Sequence, residues 1–122
     1  MESTENQSRD AHRLMRRAVQ AARELYMQHS NGLDPKYIRV IHDPERGTCG
    51  VRIFRTDDDE KGARISKICP ARDWNACHAE ICGLMHEAAV RIMTNDNQET
   101  PPVVGCTASS ETGELRVEAV YR

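Results

Sequence analysis

The sequence predicts an α+β domain with two helices packed on one face of an antiparallel sheet, in the order α-β-β-β-α-β-β. Three observations carry that expectation. Two long stretches, Arg9–His29 and Asp73–Thr94, repeat apolar residues at helical spacing. Shorter stretches between and after them alternate apolar with polar residues, as half-buried strands do. Polar loops ending in glycine separate the paired strands.

Taken in order, residues 1–8 are polar and read as a disordered lead, with a single domain over 9–122. In the first helix Ala11, Leu14, Met15, Ala18, Val19, Ala22, Leu25 and Tyr26 form one face, and Arg13, Arg16, Arg17, Gln20, Arg23 and Glu24 cover the rest. Asn31-Gly32 tolerates the left-handed conformation that ends a helix. Asp34-Pro35 then leads into a strand from Tyr37 to His42. Asp43-Pro44-Glu45-Arg46-Gly47 reads as a hairpin loop, with the return strand from Cys49 to Thr56. The run Asp57–Gly62 is too charged for anything but a solvated turn, and Ala63–Cys69 reads as a third strand ended by Pro70.

The second helix begins with Asp73 as its expected cap. Trp74, Cys77, Ile81, Met85, Ala88 and Ile92 make a sheet-facing stripe, while Ala79, Cys82, Gly83, His86, Val90 and Met93 make a small or apolar flank. A helix apolar over so much of its circumference has two contacts, a sheet and a second helix or subunit. Pro101-Pro102 bars further helix. Val103–Ala108 and Leu115–Tyr121 form a last hairpin across Ser109–Gly113. The halves also match: Asp43–Gly47 aligns with Ser109–Gly113, and Val51 and Ile53 align with Val117 and Ala119.

The totals bound the function. At 122 residues the chain buries roughly two-thirds of its unfolded surface. Only 4% of residues are aromatic, so the core is modest and association between copies would supplement it. A net charge of −2 gives no global attraction to nucleic acid or anionic membranes. No stretch approaches the ~20 apolar residues of a membrane helix, and the polar N-terminus is no secretory signal. Five cysteines without a Cys-x-x-Cys pair predict reduced thiols and a cytoplasmic protein.

His78, Cys82 and His86 fall at i, i+4 and i+8. With ~1.5 Å rise per residue the outer two stand about 12 Å apart, so at most one adjacent pair could share an ion. Other ligands would have to come from Cys49, Cys69, Cys106 or His42. No pair has knuckle spacing, so no metal and no cofactor are expected. A Cys82–His dyad lacks the third group and oxyanion site of a nucleophile, and no phosphate loop, dinucleotide fingerprint or serine elbow is present. The chain is expected not to be an enzyme.

The expected contact surface is the outer sheet face, where Arg39, Ile41, Arg52, Phe54, Arg116 and Val120 interleave arginines with apolar groups. The helix flank of Ala79, Gly83, His86 and Val90 is the expected homodimer contact. Pro35-x-Tyr37 before a β-β-β-α run resembles the double-stranded-RNA-binding domain in element order. That family's basic run is replaced here by Cys69-Pro70-Ala71-Arg72-Asp73. With Thr112-Gly113-Glu114-Leu115 in the last hairpin, the order is also similar to type III secretion chaperones, which are dimers holding an extended effector. The closing helix of those chaperones is missing.

The expected function is therefore protein binding without catalysis, of the inhibitor, immunity or antitoxin, phage anti-defence or secretion-chaperone kind. The competing readings are a nucleic-acid module using Arg13, Arg16, Arg17 and Arg23, and a metal-stabilised regulatory protein.

Overall fold

A computed structural model describes residues 4–30, 35–54, 63–65, 69 and 71–122. Helix α1 spans Thr4–His29 and helix α2 spans Ala71–Asn95. The strands are β1 (Tyr37–Asp43), β2 (Thr48–Phe54), β3 (Ala63–Arg64), β4 (Val103–Ser109) and β5 (Leu115–Val120). The architecture is the expected α+β arrangement, with antiparallel strands in the order β3-β2-β1-β4-β5. The Asn31-Gly32 stop, Asp34, the acidic run Asp57–Gly62 and Pro70 lie outside the described residues.

All eight apolar residues expected to face inward from α1 are buried, from Ala11 to Tyr26. The helix starts at Thr4, within the stretch read as a polar lead. The two helices run antiparallel against one another. Cys77 Sγ donates to the Ala21 carbonyl at 3.7 Å, Arg91 Nη1 meets Asp10 Oδ2 at 3.4 Å, and His29 Nε2 lies 3.4 Å from Asp73 Oδ2. Asp73 is therefore inside the first turn rather than its cap, where a carboxylate still complements the helix dipole. In α2, Ile81, Leu84, Met85, Ala88 and Ala89 are buried, while Trp74, Cys77 and Ile92 are half-buried. The buried arc is shifted toward α1, and the opposite flank is left open.

The third strand is shorter than expected. It ends at Arg64, and Cys69 N–H instead donates to the Ile65 carbonyl at 3.0 Å; the intervening 66–68 of the expected strand lie outside the described residues. Ala119 lies on the inner face opposite Val104 but is exposed, near the end of the edge strand β5. The second helix ends as a left-handed cap, with Asn97 at φ 55° and Gln98 N–H donating to the Met93 carbonyl.

Register arranges the inner face in rows across the sheet. Ile53, Ile38, Ala108 and Leu115 form one row, and Val51, Val40, Cys106 and Val117 the next. The third row is Cys49, His42, Val104 and Ala119. Met85 seats this layer, with its sulfur 4.0 Å from Cys106 Sγ.

The two halves of the chain are structural repeats. The interval from Gly47 to Gly113 also carries the end of α1, His29, onto the end of α2, Asn95. It carries β1 onto β4, and the end of β2 onto the end of β5. Gly47 and Gly113 both have positive φ, 63° and 69°. Val40 and Cys106, separated by the same interval, are direct partners at the β1–β4 seam. With antiparallel strands and antiparallel helices, this defines a pseudo-twofold axis through that seam.

Candidate functional site

The pseudo-twofold axis creates two equivalent clefts, each between one helix and the hairpin of the other repeat. One lies between α2 and the β1–β2 hairpin; His42, Gly47, His78, Cys82, Gly83 and His86 border a space of about 420 Å³. Its mate lies between α1 and the β4–β5 hairpin, about 490 Å³, with Arg13, Arg16, Arg17, Gln20, Ala108 and Gly113 among its walls. The same frame thus displays thiols and imidazoles on one side and guanidinium groups on the other.

The first cleft gathers residues from three elements. Strand alternation turns His42 inward two positions after Val40, and Cys49 inward two positions before Val51. Cross-strand register then sets Cys49 opposite His42. The helix brings Cys82 over them. Cys49 Sγ lies 3.4 Å and Cys82 Sγ 3.8 Å from His42 Nδ1, and the three groups lie within 4.8 Å of one another.

His42 is fully buried, a polar ring in an otherwise apolar layer. Its Nδ1 also approaches the Thr48 carbonyl at 3.2 Å, and its Nε2 lies 3.3 Å from His86 Nδ1, the rings meeting edge to face. Burial, and after it the neighbouring His86, holds the His42 pKa below its ordinary value. Burial, and after it the adjacent Cys82, pushes the Cys49 thiol well up. Cys82 Sγ donates to the Gly47 carbonyl at 3.1 Å, and His78 Nε2 lies 2.9 Å from the Cys49 carbonyl. Outside the cleft, Arg122 forks onto Asp43 Oδ2 at 2.7 Å and Glu45 Oε2, bracing the hairpin loop.

The separation of His78 from His86 along the helix, which argued against a shared ion, concerns ligands on one helix. The structure supplies His42 and Cys49 from the hairpin instead, and joins only Cys82 of the helical trio to them within ligand range. His42 and Cys49 could have been found from the alternation that turned Val40 and Val51 inward.

The outer face of the sheet is uncovered by either helix. Arg39, Ile41, Arg52, Arg116 and Val120 are exposed and Phe54 is half-buried. Register aligns Arg52, Arg39, Thr107 and Arg116 as one row, and β3 continues it with Arg64 paired to Arg52. The next row is Gly50, Ile41, Gly105 and Glu118, so Ile41 stands between two glycines. A side chain built at Gly50 would meet nothing within 4 Å. On the helix, Ala79, Gly83 and His86 are exposed and Val90 half-buried, and this flank forms the mouth of the His–Cys cleft. Among the described residues no helix is long and apolar enough to cross a membrane. No family model matches the chain, and no curated protein matches it.

Proposed function

We propose that the protein acts by binding a partner protein, without catalysis, through the uncovered face of its sheet. The observation that supports this is the arginine row flanked by Ile41 and Val120. Like charges directly opposed across strands are unfavourable, and an uncovered sheet with glycines beside its central isoleucine admits a flat partner. The partner's chemistry follows from that charge: an acidic segment or acidic surface whose carboxylates meet the arginine forks and whose apolar groups cover Ile41 and Val120. Inhibitor, immunity or antitoxin-like, phage anti-defence and secretion-chaperone proteins all fit the broader description of binding a partner protein without catalysis.

The same reading places two copies together across Ala79, Gly83, His86 and Val90, and keeps the five free thiols in the reducing cytoplasm. The test is affinity capture from the native host by the wild-type chain and by the Arg39→Glu/Arg52→Glu variant, with and without nuclease. A nuclease-resistant acidic protein that the variant loses is the expected result. Loss on nuclease treatment would move the function to nucleic-acid binding, and equal capture by the variant would remove the sheet face as the contact.

A further inference from the structure

We propose that His42 Nδ1, Cys49 Sγ and Cys82 Sγ form a binding site for a divalent metal ion of the zinc class. The site goes beyond the partner-binding reading and is independent of the sheet-face contact, although its mouth is the flank that reading assigns to the second copy. Zinc holds sulfur at about 2.3 Å and imidazole nitrogen at about 2.0–2.1 Å. At tetrahedral angles those lengths set a sulfur and a nitrogen ligand about 3.6 Å apart. The two sulfur-to-Nδ1 separations, 3.4 and 3.8 Å, bracket that value. All three donors already lie within 4.8 Å of one another, so an ion can enter with small side-chain adjustments.

The chemistry of the set fits. Two thiolates and a neutral imidazole cancel a divalent charge, and this soft, mixed N/S donor set suits zinc rather than calcium or magnesium. On binding, each cysteine exchanges its S–H bond for a metal–sulfur bond and releases its proton to solvent, Cys82 giving up its bond to the Gly47 carbonyl. His42 gives up the Nδ1–H contact with the Thr48 carbonyl, its ring proton moving to Nε2, and contributes the lone pair on Nδ1. His42 Nε2, 3.3 Å from His86 Nδ1, then carries the ring proton and donates it to His86, the kind of hydrogen bond that fixes a ligating histidine's tautomer and orientation. The fourth position faces the cleft beside Gly47 and Gly83 and falls to water.

The pseudo-twofold repeat supplies an internal control. The positions equivalent to His42, Cys49 and Cys82 are Ala108, Leu115 and Arg16. The same frame therefore closes without a histidine or a cysteine at any of the three places, and packing alone does not call for this trio.

The test uses the full chain, kept reduced with a phosphine. Zn²⁺ is titrated in competition with a chromogenic chelator, and Co²⁺ is added separately to read thiolate-to-cobalt absorption. One ion per chain and a thiolate–cobalt band are expected. Cys82→Ala is expected to lose affinity by more than the about 10- to 100-fold that removing a ligand's supporting hydrogen bond costs. Cys77→Ala, on the same helix but in the groove against α1, keeps wild-type affinity. Should Cys82→Ala fail to fold, the near-isosteric Cys82→Ser gives the same reading. Absence of saturable binding, a cobalt spectrum without thiolate absorption, or wild-type affinity in the folded Cys82 variant would each overturn the site.

Discussion

Replacing Arg52 by Glu should raise the stability of the protein while weakening its hold on the partner. Arg52 is the direct cross-strand partner of Arg39 on the open face, and on its other side its backbone pairs with Arg64. Among the described residues, the Arg39 guanidinium meets the Glu118 carboxylate at 4.0 Å. Removing a like-charge pair and installing an opposite one is worth roughly 0.2–1 kcal/mol for each change. Arg39 is about half exposed, 48% at its side chain, and Arg52 is exposed as well, so solvent screening brings the total to about 0.5–1 kcal/mol. For a domain of this size that is a rise of roughly 2–4 °C in Tm. Differential scanning calorimetry of both proteins at low salt measures it, and the gap should narrow as salt screens the charges. A Tm that falls instead would refute the reasoning. It would mean that the Arg52 stem packs on the sheet and that the row carries no repulsion to relieve.

Other expectations follow from the packing. Met85→Ala removes a fully buried side chain between α2 and Cys106, and should cost about 2–5 kcal/mol by urea denaturation with the slope unchanged. Gly47→Ala and Gly113→Ala should each cost about 1–2 kcal/mol and nearly equal one another, because the repeat gives both the same positive φ and neither new methyl group meets a neighbour. Gly83→Ala should stabilise by about 1 kcal/mol, since its Cβ points into open space. Gly83→Leu should split a dimer to monomers by light scattering while circular dichroism holds; a wild-type chain that already runs as a monomer at high concentration would remove that contact.

Much of this was legible because the dominant signal, burial, is periodic. In α1 a single face meets the core, so its eight apolar positions could be read directly. Alternation likewise placed Ile38, Val40, Val51 and Ile53 inward and Arg39, Ile41 and Arg52 outward. It failed where periodicity cannot distinguish states: Ala63, Ile65 and Cys69 suit a strand, yet the strand ends at Arg64 and the Cys69 N–H bonds to the Ile65 carbonyl. The second helix misled for another reason. It packs against both the sheet and α1, so its buried arc is broad; which flank α1 would cover depends on how the helices cross.

The His–Cys cleft falls between these cases. The inward turn of His42 and Cys49 is in the alternation, and their opposition follows from the hairpin loop. What the sequence lacks is the crossing of α2 over the first hairpin, which alone brings Cys82 to them. The repeat was visible in the loop match of Glu45-Arg46-Gly47 to Glu111-Thr112-Gly113, but the helices carry it with few shared residues, Ala22 and Ala88 among them. Packing needs small or apolar groups there rather than particular ones.

The central claim is that the sheet face, rather than the arginine-bearing surface of α1, meets the partner. Parallel capture experiments with two variants of matched charge change test it most directly. Arg39→Glu/Arg52→Glu alters the sheet, and Arg13→Glu/Arg17→Glu alters two exposed positions of the helix. The account predicts that the helix variant retains the acidic partner and the sheet variant loses it. Retention by the sheet variant with loss by the helix variant would contradict it.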